Sequence, residues 1–312
     1  MCARRCPTLS ELPAPSAGKT GWPWTQESSQ LSDTMADGSP WPQVSIVTPS
    51  YNQGQFIEET IRSVLLQGYP NIEYIIIDGG STDNSVEIIR KYEQWISYWV
   101  SEPDRGQSHA INKGFSKATG EIFGWLNSDD YYHSGGVATL VQLRHKQPDC
   151  VAWVGANQEI DIAGKLLRSL TPRVGNKAQI GDWGTQVEAH FHQPSCLFSA
   201  KQFATIGGVN ERLEYALDVE LWMRLAEAGN FATTGEIISY PRIYSEAKTF
   251  RDRLMQEAEL IFINFNLDQP EVARRRLVRF QEKAVDMMTY RDLLIYLVKR
   301  TVSGILGRLH YK

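Results

Sequence analysis

Apolar residues begin to recur with secondary-structure spacing only at Val44. Val44-Ser45-Ile46-Val47-Thr48-Pro49 reads as a short strand stopped by proline. Ile57, Ile61, Val64 and Leu65 then fall at helical spacing, and Gly68 marks the end of that helix. Glu73-Tyr74-Ile75-Ile76-Ile77-Asp78 is apolar on both faces, as a strand buried between two layers must be. Val86, Ile89 and Tyr92 mark a second helix. A short strand follows at Tyr98–Ser101, a helix at 107–118 and a strand at Glu121–Asn127. This alternation predicts an α/β fold, a mostly parallel open sheet with helices on both faces.

Beyond Gly135 the pattern loosens. Strands are expected at 151–155 and 195–199, and a helix from Asp218 to Ala228. Helices are then expected at 246–266, 270–288 and 290–309. Residues 1–43 hold six of the 14 prolines and no apolar periodicity, which predicts a disordered leader. Met35 stands just before the first strand and is a candidate native start. The resulting division is a leader (1–43), a main domain (44–245, with halves at 44–133 and 134–245) and a C-terminal helical extension (246–312).

Composition changes this picture in two places. The formal net charge of −4 argues against nucleic acid as a partner. That charge is unevenly spread, because residues 271–312 carry ten Lys/Arg against four Asp/Glu. Leu293, Leu294, Leu297, Val298, Ile305 and Leu309 lie near one helical stripe there, with Lys299, Arg300 and Arg308 close by. A basic amphipathic helix of this kind can rest on an anionic membrane surface, and one packed on the main domain would read the same way. No run of about 18 apolar residues exists to span a bilayer. The reading is a cytoplasmic protein, with a peripheral contact at the inner face of the membrane. The four cysteines show neither CxxC pairing nor zinc spacing.

In an open parallel sheet, ligands bind beyond the carboxyl ends of the strands. Those ends carry Thr48-Pro49-Ser50-Tyr51-Asn52, Asp78-Gly79-Gly80-Ser81-Thr82-Asp83, Glu102-Pro103-Asp104-Arg105-Gly106 and Asn127-Ser128-Asp129-Asp130. One acidic strand end is ordinary turn chemistry, whereas four on one edge mark a cleft. The first turn has only Gly54, so neither a dinucleotide fingerprint nor a P-loop is present. Carboxylates at Asp129 and Asp130 point instead to a hard divalent cation, Mn²⁺ or Mg²⁺, between protein and diphosphate.

These segments resemble the donor half of the inverting family 2 glycosyltransferases, which have the GT-A fold. Asp104-Arg105-Gly106-Gln107-Ser108-His109-Ala110-Ile111-Asn112-Lys113-Gly114 and Leu217-Asp218-Val219-Glu220-Leu221-Trp222-Met223-Arg224 extend the likeness, which spans about 44–230. The resemblance implies that Thr48, Pro49, Tyr51 and Asn52 contact uracil or ribose, and that Asp78 accepts a hydrogen bond from the base. It places Asp104 and Lys113 near the nucleoside and diphosphate. Asn127-Ser128-Asp129 occupies the family's Asp-x-Asp, with Asp129 as the metal ligand and Asn127 and Ser128 beside the donor. The first acid is an amide here, which lowers the charge of the site. His109 stands where many relatives have Asp.

Asp218 corresponds to the general base, with Glu214 and Glu220 as local alternatives. Asp83 reads as a helix cap, and Asp130 as a support of its loop. One of His190 and His192 could add a metal ligand, and Trp222 reads as core. Arg224 could face the diphosphate or pair with an acid. The resemblance thus implies transfer of a sugar from a nucleotide-diphosphate donor, by default a UDP-sugar, to a glycan or lipid-linked acceptor, with inversion. Surface polysaccharide synthesis is the natural setting. The alternatives are a degenerate GT-A binding or scaffold protein, for which the amide at Asn127 speaks, and a nucleotidyltransferase, which would want a Gly-rich basic first loop.

Overall fold

The structure, a computed structural model, describes residues 7–15, 31, 32, 34–174, 180, 191–245 and 253–287. These fall in two compact units, Met1–Arg251 and Asp252–Lys312. In the first unit the chain runs β1 (Val44–Ser50), α1 (Ile57–Leu65), β2 (Ile72–Asp78), α2 (Ser85–Lys91), β3 (Tyr98–Ser101), α3 (Gln107–Phe115), β4 (Ile122–Trp125) and β5 (Tyr131–Tyr132). It continues through α4 (Gly136–Lys146), β6 (Ala152–Ile160), β7 (Leu166–Leu170), β8 (Cys196–Ser199), α5 (Ala200–Thr205), α6 (Leu217–Ala228) and β9 (Phe231–Tyr240).

One nine-stranded sheet carries them in the order β3-β2-β1-β4-β8-β6-β9-β5, with β7 paired to β6. Strands β1 to β4 are mutually parallel, so their carboxyl ends share one edge. The long β6–β9 pairing is also parallel, while β8, β5 and β7 join by short antiparallel ladders. The sheet is therefore mostly parallel, as the alternating pattern predicts.

Side-chain alternation along β1 sets the two helical layers. Val44 and Ile46 join Ile57, Ile61, Ile88, Ile89 and Val137 in the main core. Val47, on the opposite face, meets α3. A Cβ at Gly114 would lie 2.4 Å from a Val47 methyl, so only glycine lets α3 sit this close.

Pro49 does not stop β1. The strand continues to Ser50, with Pro49 opposite Ile77 of β2. The Ser50 carbonyl accepts from Gly79 N–H (2.8 Å) on the β2 side, and the Val47 carbonyl accepts from Leu126 N–H (2.9 Å) on the β4 side. By alternation the position of Pro49's missing N–H faces β4, where the register ends at Val47 and Trp125. The proline therefore breaks no ladder bond.

The segment expected to be a disordered leader is packed over its described parts. Leu12, Met35 and Trp41 are buried in the main core. Trp41 Nε1 donates to the Ser32 carbonyl (2.9 Å), and Arg62 Nη1 donates to the Pro13 carbonyl (2.8 Å). Single anchoring residues hold it, and these leave no periodic trace in a sequence.

The second unit contains α7 (Arg253–Asn266) and α8 (Pro270–Met287). Asp268, at φ +58°, turns the chain between them. The buried Arg276 pairs with Glu257 (2.9 Å). None of the described helices is long and apolar enough to cross a membrane. The amphipathic stretch expected at 290–309 lies outside the described residues.

Candidate active site

The four parallel strands deliver their end loops to one edge, and hydrogen bonds tie these loops together. The Asn52 side-chain oxygen accepts from Thr82 N–H (2.8 Å), and Asn52 N–H donates to Ser81 Oγ (2.8 Å). Asn52 itself holds φ +52°, a conformation Asn tolerates better than most residues. Asp83 accepts from Gly54 N–H across the gap (2.8 Å) and from Ser85 N–H (3.0 Å) at the start of α2. It stands one residue before the N-cap position of α2, Asn84, and ties the start of that helix to the loop after β1. Burial works against ionisation of Asp83, but the Ser85 and Gly54 hydrogen bonds outweigh it and hold the carboxyl below its usual range.

Asp78 is fully buried, and its carboxylate is filled by four donors. These are Gly80 N–H (3.1 Å), Ser81 N–H (2.8 Å), Ser81 Oγ (2.5 Å) and Ser101 Oγ (2.6 Å). Oδ2 takes three of these donors and Oδ1 takes only Ser81 Oγ. In this structure Asp78 organises the loop on which a base could rest.

Thr48 departs from the expected nucleotide contact. It lies inside β1, fully buried, with its hydroxyl 3.1 Å from Tyr74 Oη. Pro49 is buried as well. Alternation turns their side chains into the two packed layers, so neither reaches the open edge. Tyr51, one residue past the strand, is 61% exposed and is the aromatic face at that edge.

Asp104 sits against the end of β2. A Cβ at Gly79 would come within 2.8 Å of its Oδ2, so glycine makes the approach possible. The other Asp104 oxygen accepts from Gly106 N–H (2.8 Å). His109 Nδ1 accepts from Arg105 N–H (3.3 Å), which braces the same turn. Lys113 is ion-paired with Glu102, so its ammonium is held at the carboxyl end of β3.

Beyond β4, Asn127 Oδ1 accepts from Gln107 Nε2 (2.8 Å) at the start of α3, and Ser128 is buried in the turn. Asp129 is partly exposed, with Oδ2 accepting from Tyr244 Oη (2.7 Å). Asp130 is buried and accepts from Arg242 N–H (2.8 Å), which makes it a loop support as expected. Burial raises the Asp129 carboxyl above its ordinary value, against the Tyr244 hydrogen bond. Burial and then the neighbouring charge of Asp129 raise Asp130 further.

Two poorly solvated carboxyls side by side are the condition a divalent cation relieves. Among the described residues no cluster of three His, Cys, Asp or Glu side chains could hold such an ion unaided. The fit is to a cation bound through one protein carboxylate and completed by phosphate oxygens, a common arrangement for Mg²⁺.

His192 is no part of this group. Its Nε2 lies 2.8 Å from Glu159 Oε1, and Arg168 Nε donates to Glu159 Oε2 (3.0 Å). His190 lies outside the described residues. Burial opposes ionisation of Glu159, yet the hydrogen bonds from His192 and Arg168 prevail and bring it down to about 2. A depressed carboxyl stabilises the fold above its unfolded value, near 4.5, and that contribution is lost as pH falls toward 2. In acid denaturation followed by fluorescence, the Glu159→Gln variant should therefore lose less stability than the parent between about pH 5 and 2. Equal slopes would mean that Glu159 is not held ionised.

Asp218 lies in the first turn of α6, partly exposed, and its Oδ1 accepts from Val219 N–H (2.8 Å). One helical turn on, Trp222 stacks on Trp125 at the end of β4, with ring centroids 5.7 Å apart and planes at 13°. The segment entering α6 is tied to α3, where Ser108 Oγ donates to the Leu213 carbonyl (3.0 Å). These contacts hold α6 to β4 and its entry segment to α3, with Asp218 one turn before the stacked Trp222. Glu220 is taken by Arg224 (2.9 and 2.6 Å), so Arg224 pairs with an acid. Arg242 and Tyr244, which follow β9, escape sequence reasoning because no motif or periodicity singles them out.

Comparison with known proteins gives the family and the fold. The family described as "Glycosyl transferase family 2" matches residues 45–207. This chain belongs to that family. An uncharacterized glycosyltransferase of Rickettsia felis is 32% identical over 212 residues, 66% of this chain and 35% of its own length. The chain thus spans about a third of that relative. Among solved structures, Staphylococcus aureus TarS 1-349 in complex with UDP-GlcNAc matches with a TM-score of 0.58 and 16% identity, over 78% of this chain and 73% of that one. The mannosyltransferase PcManGT from Pyrobaculum calidifontis, in complex with GDP-Man and Mn²⁺, matches with a TM-score of 0.55 and 17% identity, over 84% and 80%. These likenesses give the family 2 chain the GT-A fold of its structural neighbours.

Proposed function

We propose that this family 2 glycosyltransferase moves a sugar from a UDP-sugar to a hydroxyl of a glycan or lipid-linked acceptor with inversion, in surface polysaccharide synthesis. Tyr51 offers a stacking face for the base, and the Asn52–Thr82 and Asp83–Gly54 bonds fix the loop that carries it. Asp104 and Asn127 stand at the neighbouring strand ends for ribose and diphosphate, with Lys113 in reach of the same edge. Asp129 would hold Mn²⁺ or Mg²⁺, which when bound offsets the charge gathering on the departing diphosphate. Asp218 takes the proton from the acceptor hydroxyl as that oxygen attacks the anomeric carbon from the face opposite the leaving group.

The observation that carries this reading is the Trp125–Trp222 stack. It locks the helix bearing Asp218 onto the strand that ends in the acidic loop. Calorimetry with UDP and GDP, with and without Mn²⁺, tests the donor site. UDP binding strengthened by Mn²⁺ is the expected result. A preference for GDP would move the donor to GDP-sugars, and no binding of either would overturn the UDP assignment.

A further inference from the structure

Beyond β9 the chain continues through Pro241-Arg242-Ile243-Tyr244, still bridged to Ile160 of β6 at Arg242, and bonds to the acidic loop. Arg242 is buried, and its guanidinium carbon lies 4.5 Å from the ring centre of Phe56 and 5.6 Å from that of Tyr131. One arm of the fork donates to the backbone carbonyl of Asp129 and the other to the carboxylate of Glu59 on α1. The Arg242 N–H holds the Asp130 carboxylate (2.8 Å). Thr60 Oγ1 adds a bond to the Asp130 carbonyl (2.7 Å), so α1 contributes twice to the same loop. Tyr244 completes the arrangement, with its hydroxyl 2.7 Å from Asp129 Oδ2 and its ring 5.4 Å from that of Phe56.

A buried guanidinium is costly unless it is paired; here both terminal nitrogens are satisfied, one of them by a backbone carbonyl of a site loop, while Nε has no hydrogen-bond partner among the described residues. The hydroxyl of Tyr244 binds only one of the two Asp129 oxygens. Among the described residues, no other side chain donates to the Asp129 carboxylate, whose one further hydrogen bond comes from its own backbone N–H.

We propose that Tyr244 and Arg242 are positioning residues of the donor site. Arg242 fixes the backbone of the acidic loop, and Tyr244 fixes the rotation of the Asp129 carboxylate, so that one oxygen is committed and the other stays free for the cation. The inference rests on the reading of Asp129 as the metal ligand. It assigns to this chain a single-carboxylate site made competent by a neighbouring hydroxyl, where the amide at Asn127 has removed a charge. Fixing a lone ligand in advance recovers part of the affinity that a second charged ligand would supply, because less ordering remains to be done on binding.

The test titrates Mn²⁺ into full-length protein saturated with UDP, by calorimetry, for the parent and the Tyr244→Phe, Arg242→Lys and Asp129→Asn variants. UDP affinity in chelator and the unfolding temperature are measured alongside. Tyr244→Phe keeps the ring and should weaken Mn²⁺ about tenfold, leaving both the unfolding temperature and metal-free UDP affinity unchanged. A purely structural tyrosine would lower the unfolding temperature and leave Mn²⁺ affinity alone, which overturns the proposal. If Asp129→Asn abolishes the Mn²⁺ effect while Tyr244→Phe and Arg242→Lys retain it, the positioning role fails and the reading of Asp129 stands. If Asp129→Asn retains the Mn²⁺ effect, the reading of Asp129 fails, and the positioning role with it.

Discussion

Asp218→Asn should lower kcat by about 10² to 10⁴-fold, the usual contribution of a positioned general base, and leave UDP affinity intact. The substitution keeps the size of the side chain and its acceptor oxygen for Val219 N–H, so the first turn of α6 is preserved. What it removes is the ability to take a proton. A coupled assay for UDP release measures the rate, and calorimetry measures the affinity. In the parent enzyme, NMR of the product should give an anomeric configuration opposite to the donor's. Substantial transfer by Asp218→Asn would exclude Asp218 as the base and turn attention to Glu214. Loss of UDP binding would show instead that Asp218 belongs to the donor pocket.

The second large effect is on stability. Trp222 is fully buried and packs against Trp125, Phe191, Phe198 and Phe231. Truncation to alanine should cost about 3–5 kcal/mol and lower the unfolding temperature by roughly 10 °C. Among the described residues the indole N–H has no hydrogen-bond partner. The loss is therefore one of packing, and Trp222→Phe should cost much less because it removes the unpaired donor as well as volume. Thermal unfolding by circular dichroism compares the two. Equal destabilisation would mean that ring size, not the aromatic contact, decides the packing. Activity should follow stability in Trp222→Ala, since the stack sets the place of Asp218.

Much of this was legible in the chain. Continuous apolar runs such as Ile75-Ile76-Ile77 mark buried parallel strands, and the order of strand ends foretold which loops would meet. The packing of Trp222 in the core also follows from its helical spacing. Other features could not be read. Thr48 and Asp78 carry the right chemistry at the right place in the sequence, but their orientation depends on alternation and on donors, such as Ser101, from other strands. The brace from Arg242 and Tyr244 crosses more than a hundred residues of chain. Long-range contacts of that kind have no local signal. Leu12 and Trp41 were hidden for a related reason, since isolated plugs produce no repeat.

Pro49 has a consequence for how the cleft exists at all. Parallel strands with free donors and acceptors tend to zip together, and the chain reverses its order of strands between β1 and β4. At the next rung on that side β1 has no amide to offer, so the two strands part there whether or not anything is bound. The opening is thus written into the covalent chain. The proposed nucleotide would have no ladder to pry apart there, and its binding energy would remain available for ordering the sugar and its acceptor.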